Sequence, residues 1–181
     1  MSEVVKVKIE KLYEDVVIPS YQHEGDSGMD VRAFFHDEWI KKTYCHDENG
    51  IKYWEGQFDH MRHYELYAGS RIIIPTGIKV AIPVGYEIQV RPRSGMAAKQ
   101  GLTVLNTPGT VDAGYRGEIG IIVYNSNAVS GYNVNPIRIE HGDRIAQLVL
   151  QKVPKIEWEF VDSVDDDSTR GPDGFGSSGI R

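Results

Sequence analysis

Hydrophobic and polar residues alternate in short runs along most of the chain. The runs are too brief for helices and have the period of strands. VVKVKIEKL near the start alternates at period two. SRIIIPTGIKVAIPV, residues 70 to 84, reads as two strands broken at Pro-Thr-Gly. GYEIQVRPR adds another after Gly85, and GLTVLN, GEIGIIVYN and PIRIEHGDRIAQLVLQKV complete the series. Gly, Pro, Asn and Asp punctuate these runs at intervals of roughly ten residues, the pattern of an all-β sandwich or barrel. The one helix signal is SGMAAKQG, residues 94 to 101, which predicts one or two turns with Ser94 as a cap.

Two regions break the rhythm. Residues 34 to 66 are long, aromatic and charged, and hold four of the six histidines. ENG at 48 to 50 has the composition of a hairpin turn, so the segment reads as an added β-hairpin or excursion. The second region is the acidic VDSVDDD, residues 161 to 167, which reads as a hinge into STRGPDGFGSSGIR, residues 168 to 181. Glycines and serines cannot build a core, so that end reads as a mobile arm. Its single aromatic, Phe175, suggests an arm that closes over something flat. The expected organisation is one β-barrel domain over residues 1–160 with the 34–66 insertion, then the hinge and arm at 161–181.

Composition narrows the function. At a net charge of -6 over 181 residues, the chain lacks the cationic surface needed to coat nucleic acid. A free nucleotide needs only a local basic pocket and stays open. Cys45 is the single cysteine, which excludes an intrachain disulfide and fits a reducing compartment. There is neither a signal-peptide core nor a membrane-length apolar run, so an intracellular, soluble, cytoplasmic protein with no membrane partner is expected. Cys45, His46, His60 and His63 lack the spacing of a zinc site, and their segment reads as a solvated or partner-binding insertion.

Five stretches combine unusual residues: GDSGMDVRA, RPRSGMAAKQGL, NTPGTVDAGYRGEIG, GDRIAQLVL and RGPDGFGSSG. Each alone has an ordinary reading as a turn, cap or edge strand. Together they suit a nucleotide. Arg93 offers a fork of donors to phosphate oxygens, and Ser94 adds a hydroxyl. Asp112 sits in a glycine-rich loop with Tyr115 three residues on, an acid beside an aromatic face. Gly176, Ser177 and Ser178 supply amides and hydroxyls suited to a terminal phosphate. Phe175 supplies a surface on which a base can stack.

In this order and spacing the stretches resemble the trimeric all-β dUTP pyrophosphatases (dUTPases), over nearly the whole chain apart from residues 34 to 66. The resemblance implies a jelly-roll-like β-barrel assembled as a homotrimer, each site shared between subunits and covered by a flexible C-terminal arm. A separated monomer would then be inactive. It implies hydrolysis of dUTP to dUMP and pyrophosphate, which keeps uracil out of DNA and supplies dUMP for dTMP synthesis.

By position, Asp112 matches the aspartate that orients the water attacking the α-phosphorus. Aspartates are weak bases at neutral pH, so this is more a positioning than a proton-removing role. Tyr115 matches the tyrosine under the deoxyribose that leaves no room for a 2′-hydroxyl. The β-hairpin from Asn106 to Tyr115 matches the uracil-holding element, with Asn106 adding a side chain. Arg93, Ser94, Gly95 and Gln147 match phosphate-binding positions. Asp30 matches the carboxylate that holds Mg2+ through water. Arg170, Phe175, Gly176, Ser177 and Ser178 match the closing arm, with a serine where the family often has threonine. Two other readings are weighed. A dCTP deaminase has a similar loop, but its glutamate aligns with Ile122 here, and Glu118 lies too early. A regulatory protein of this fold would engage a protein partner through residues 34 to 66, alone or alongside catalysis.

Overall fold

The computed structural model describes residues 3–44, 63–128 and 136–164. Among these, regular structure is nearly all strand. In chain order the elements are β1 (Lys8–Lys11), β2 (Met29–Arg32), α1 (Asp37–Tyr44), β3 (His63–Leu66), β4 (Arg71–Pro75), β5 (Ile78–Ala81), β6 (Tyr86–Arg91), α2 (Ser94–Gln100), β7 (Leu102–Val104), β8 (Gly109–Val111), β9 (Gly120–Asn125), β10 (Ile137–Glu140) and β11 (Arg144–Lys152). Neither helix is long and apolar enough to cross a membrane.

The strands pair antiparallel in four small sheets: β1-β5, β3-β10, β2-β11-β6-β8 and β4-β9-β7. Sequence neighbours repeatedly part company. Only Thr76 and Gly77 separate β4 from β5, yet β4 pairs with β9 and β5 with β1. The Pro-Thr-Gly turn is therefore a corner that hands the chain from one sheet to another, as jelly-roll architectures require. β10 and β11 likewise diverge after one tight turn. Alternation places Ile78 and Val80 of β5, and Ile137 and Ile139 of β10, inward. They join Leu66, Ile74, Ile121 and Leu148 in one core. Each such aliphatic side chain contributes roughly 1.5–3 kcal/mol by leaving water.

The described part of residues 34 to 66 differs from a β-hairpin. Residues 37–44 are helical, with Asp37 and Glu38 in the first turn, where acidic groups favour the helix dipole. Phe34, Phe35 and Ile40 are buried in the core. Trp39 stacks on Phe35 at 4.7 Å and donates its indole N–H to the Ile73 carbonyl at 2.9 Å. Trp39 thus covers a core edge. The stretch before the ENG turn is thus a short helix rather than the first strand of a hairpin. The His63–Leu66 end is β3, a partner of β10. The ENG turn, Cys45, His46 and His60 lie outside the described residues.

The second helix starts one residue earlier than a Ser94 cap would set it. Arg93 occupies the N-cap in an extended conformation without a side-chain capping bond, and Ser94 is the first helical residue. The Arg93 side chain is turned away, toward Asp30.

Candidate active site

Asp112 and Tyr115 come together through a turn. β8 pairs with β6, placing Val111 opposite Ile88, and Asp112 follows directly. The Tyr115 N–H donates to the Asp112 carbonyl at 3.0 Å. The Tyr115 hydroxyl then donates to the Glu118 carbonyl at 2.8 Å, so the ring folds back over its own loop. Gly117 makes that fold possible, since a Cβ there would lie 2.6 Å from Tyr115 Cζ. Beside them opens a cavity of about 170 Å³ lined by Thr110, Val111, Asp112, Tyr115, Ile119 and Gly120. That is smaller than the roughly 300–1,000 Å³ of whole small-molecule sites and suits part of a nucleotide. Tyr115 is 45% exposed, leaving a ring face available to a ligand.

Residues 106 to 115 do not form two strands paired on each other. β7 belongs to the β9 sheet and β8 to the β6 sheet, so the segment bridges two sheets. Asn106 lies across Gly109, where an added Cβ would stand 3.0 Å from its side-chain nitrogen. Asn106 thus sits at the loop's base rather than on the cavity wall.

A second cluster forms across the central sheet. Asp30 of β2 is in register with Gln147 of β11, which is in register with Arg91 of β6. Arg93 Nε donates to Asp30 Oδ1 at 2.8 Å, and Arg144 Nη1 lies 3.4 Å from Asp30 Oδ2. Arg93 also donates to the Arg144 carbonyl at 3.2 Å. One carboxylate thus orients two guanidinium groups, a geometry able to present fixed cations to an anion. Gln147 Nε2 donates to the Pro92 carbonyl at 2.9 Å. Its amide packs over Gly28, where any Cβ would collide with it. Ser94 and Gly95 are exposed just beyond, and nothing stands within 4 Å of where a Gly95 Cβ would be.

Arg144 was missed in the sequence, and the reason is geometric. It precedes Gln147 by three positions, an odd step that on a regular strand would put the two on opposite faces. The β11–β2 register shifts between Arg144 and Ala146. This bulge returns both side chains to the Asp30 face. Consecutive buried residues Ile145 and Ala146 inside a GDR-initiated strand are the sequence trace of it.

The two clusters sit at opposite ends of β6. Val111 faces Ile88, so Asp112 lies level with Glu87, whereas Arg93 follows the other end of the strand. Six residues of extended chain span roughly 20 Å, farther than an aspartate and an arginine side chain bridge together. One chain alone therefore does not bring Asp112 to Arg93. Arg170, Phe175, Gly176, Ser177 and Ser178 lie outside the described residues.

Glu118 was also passed over. Its Oε1 accepts the backbone N–H groups of Thr76 at 3.2 Å and Gly77 at 2.6 Å. Ile122 faces half outward from β9 as a plain apolar residue. No carboxylate therefore stands at the deaminase position, and the nearby one is engaged by backbone.

Comparisons with known proteins place the chain in a family. The dUTPase family model matches residues 59–179. A deoxyuridine 5'-triphosphate nucleotidohydrolase of Fusobacterium nucleatum is 42% identical over 96% of this chain and 98% of its own. One from Ehrlichia canis is 42% identical over 97% and 96%. Among solved structures, a Staphylococcus bacteriophage 80alpha dUTPase with dUpNHpp gives a TM-score of 0.72 at 25% identity, covering 97% of this chain and 99% of that one. The dUTPase of phage phi11 of S. aureus, in which a structural Mg(II) ion is coordinated, gives 0.64 at 22% identity over 87% and 97%. With about two-fifths of residues identical to curated relatives over nearly the whole chain, and a strand-rich fold like that of solved dUTPases, the chain belongs to the dUTPase family.

Proposed function

We infer that the chain hydrolyses dUTP to dUMP and pyrophosphate. The observation that carries this is the Asp112–Tyr115 turn beside a cavity of about 170 Å³. Asp112 accepts a hydrogen bond from a water and aims its lone pair at the α-phosphorus. The new P–O bond forms as the bond to the bridging oxygen of the β-phosphate breaks, and pyrophosphate leaves. Tyr115 lies under the sugar and excludes a 2′-hydroxyl, and the 106–115 segment holds uracil, with Asn106 bracing that segment across Gly109. Arg93, Ser94, Gly95 and Gln147 bind the phosphates, Arg93 being held in place by Asp30. In the arm, Phe175 stacks on the base, while Arg170, Gly176, Ser177 and Ser178 close over the phosphate chain.

The donor set suits Mg2+. Among the described residues no three His, Cys, Asp or Glu side chains gather as an all-protein metal cage. Mg2+ keeps several waters and commonly takes its remaining ligands from phosphates and one or two carboxylates. Asp30, with lone pairs to spare beyond its two arginine contacts, fits as the acceptor of a metal-bound water. When bound, the ion offsets charge growing on the phosphate chain.

The working unit is a homotrimer with composite sites. Two features support this. The separation of Asp112 from Arg93 along β6 requires a second chain to complete the site. The segment after β11 runs without regular structure and carries exposed Ile156, Trp158 and Phe160, the last 97% exposed. Large apolar side chains in a row call for a covering surface on another copy. The described part of residues 34 to 66 is used by the fold itself. A protein partner in that region would therefore read residues 45–62, outside the described residues.

Product analysis with purified protein, Mg2+ and either dUTP or dCTP tests the reading, alongside Asp112→Asn. The expected result is dUMP and pyrophosphate from dUTP alone, lost in the variant. Ammonia from dCTP, or turnover by the variant at the parent rate, would overturn it.

A further inference from the structure

In the Tyr115 loop only Ala113 packs against the core. Gly114, Tyr115 and Arg116 are exposed, and beyond Ala113 the hydrogen bonds that fix the loop's far end converge on one place. That place is the corner between β4 and β5. Gly77 has φ +70, the left-handed region, and an added Cβ there would stand 3.2 Å from the Phe34 ring. This conformation turns the successive N–H groups of Thr76 and Gly77 toward a single point, a backbone nest for an anion. Glu118 Oε1 fills that nest at 3.2 and 2.6 Å. Two bonds flank it: the Ile119 N–H donates to the Ile78 carbonyl at 3.0 Å, and the Thr76 hydroxyl to the Ile119 carbonyl at 2.7 Å. The other carboxylate oxygen faces His36 Nε2 at 3.8 Å. His36 Nδ1 accepts the backbone N–H of Trp39, so Nε2 carries the ring hydrogen toward Glu118.

The same residue that fills the nest with its side chain receives the Tyr115 hydroxyl on its backbone carbonyl. We propose that Glu118 is a positioning residue for sugar specificity: by docking its carboxylate in the Thr76–Gly77 nest it fixes the carbonyl that holds Tyr115, and so sets the tightness of the wall that rejects a 2′-hydroxyl. This rests on the dUTP-hydrolysing reading and on the role of Tyr115 within it. Glu118 touches no substrate. It acts through Tyr115, and helix α1 joins the same clamp through His36.

The test is the ratio of kcat/KM for dUTP to kcat/KM for UTP, measured for the full chain and for Glu118→Ala, Glu118→Gln, Tyr115→Phe and the Glu118→Ala/Tyr115→Phe pair. A variant that merely lowers the folded fraction slows both substrates equally and leaves this ratio unmoved. Tyr115→Phe removes one hydrogen bond and should lower the ratio about five- to tenfold. Glu118→Ala should lower it at least as much. Glu118→Gln keeps an oxygen for the nest and should recover most of the parent ratio. The double variant should be no worse than Glu118→Ala, because the hydroxyl acts only through the carbonyl that Glu118 fixes. A parental ratio in Glu118→Ala would overturn the proposal while leaving dUTP hydrolysis intact. Additive losses in the double variant would also overturn it, by showing that Tyr115 is held independently. A parent protein that turns over dUTP and UTP alike, or neither, would remove the proposal together with the reading beneath it.

Discussion

Replacing Gly95 with alanine separates the stability of this protein from its chemistry. The residue is second in a seven-residue helix, exposed, with nothing within 4 Å of an added Cβ. The methyl group therefore meets no protein atom. In a helix interior alanine is favoured over glycine by about 0.8–1.0 kcal/mol, and near the end of so short a helix about half of that applies. A gain of about 0.5 kcal/mol moves a urea midpoint up by about 0.2–0.5 M at fixed protein concentration. The effect on substrate runs the other way. A phosphate oxygen bonded to backbone N–H groups approaches to about 2.9 Å, and the methyl stands beside that path. A displacement of the phosphate chain by about 1 Å costs up to ~100-fold in rate. Gly95→Ala should thus be slightly more stable yet need at least ~10-fold more dUTP for half-maximal rate. Urea titration and steady-state pyrophosphate release give both numbers. A variant with parental kinetics would show that no phosphate comes near Gly95. A destabilised variant would show that the space around it is not open.

Asp30→Asn leaves Arg93 and Arg144 facing each other; with Asp30 only 18% exposed, the expected loss is about 1–2 kcal/mol in urea titration, together with a higher Mg2+ requirement, and parental stability would refute the pairing. Trp158→Ser with Phe160→Ser should weaken self-association and make specific activity fall on dilution, read by sedimentation and by rate against enzyme concentration. Bonds from Lys152 and Tyr86 hold the Glu3 carboxyl below its ordinary range. A depressed carboxyl stabilises the fold above its unfolded pKa and loses that contribution as pH falls through the folded one. The urea midpoint of the parent should therefore exceed that of Glu3→Gln at neutral pH and converge with it in acid.

Strand positions were legible because one-sided burial imposes period two, as in β5, β9 and β10. Pairing was not, because the Pro-Thr-Gly corner and the Asn106–Tyr115 segment look like hairpin turns locally and yet join different sheets. Local composition records that a chain turns, not which strand it meets next. The chemical stretches were readable because their residue types are costly to explain otherwise. Arg144 was hidden by the bulge, and Glu118 by doing its work through backbone. Helix α1 was hidden by length: eight residues carry barely two turns of periodicity, against which the ENG turn signal nearby weighed more.

The length of β6 has a genetic consequence. If Asp112 of one subunit works with Arg93 of another, a chain lacking the first and a chain lacking the second are each inert alone but not when mixed. In trimers reassembled from equal amounts of Asp112→Asn and Arg93→Ala chains, about a quarter of sites draw an intact aspartate from one parent and an intact arginine from the other. Two null alleles would then complement within a single gene, and a lone defective allele would poison sites in neighbours that are themselves sound.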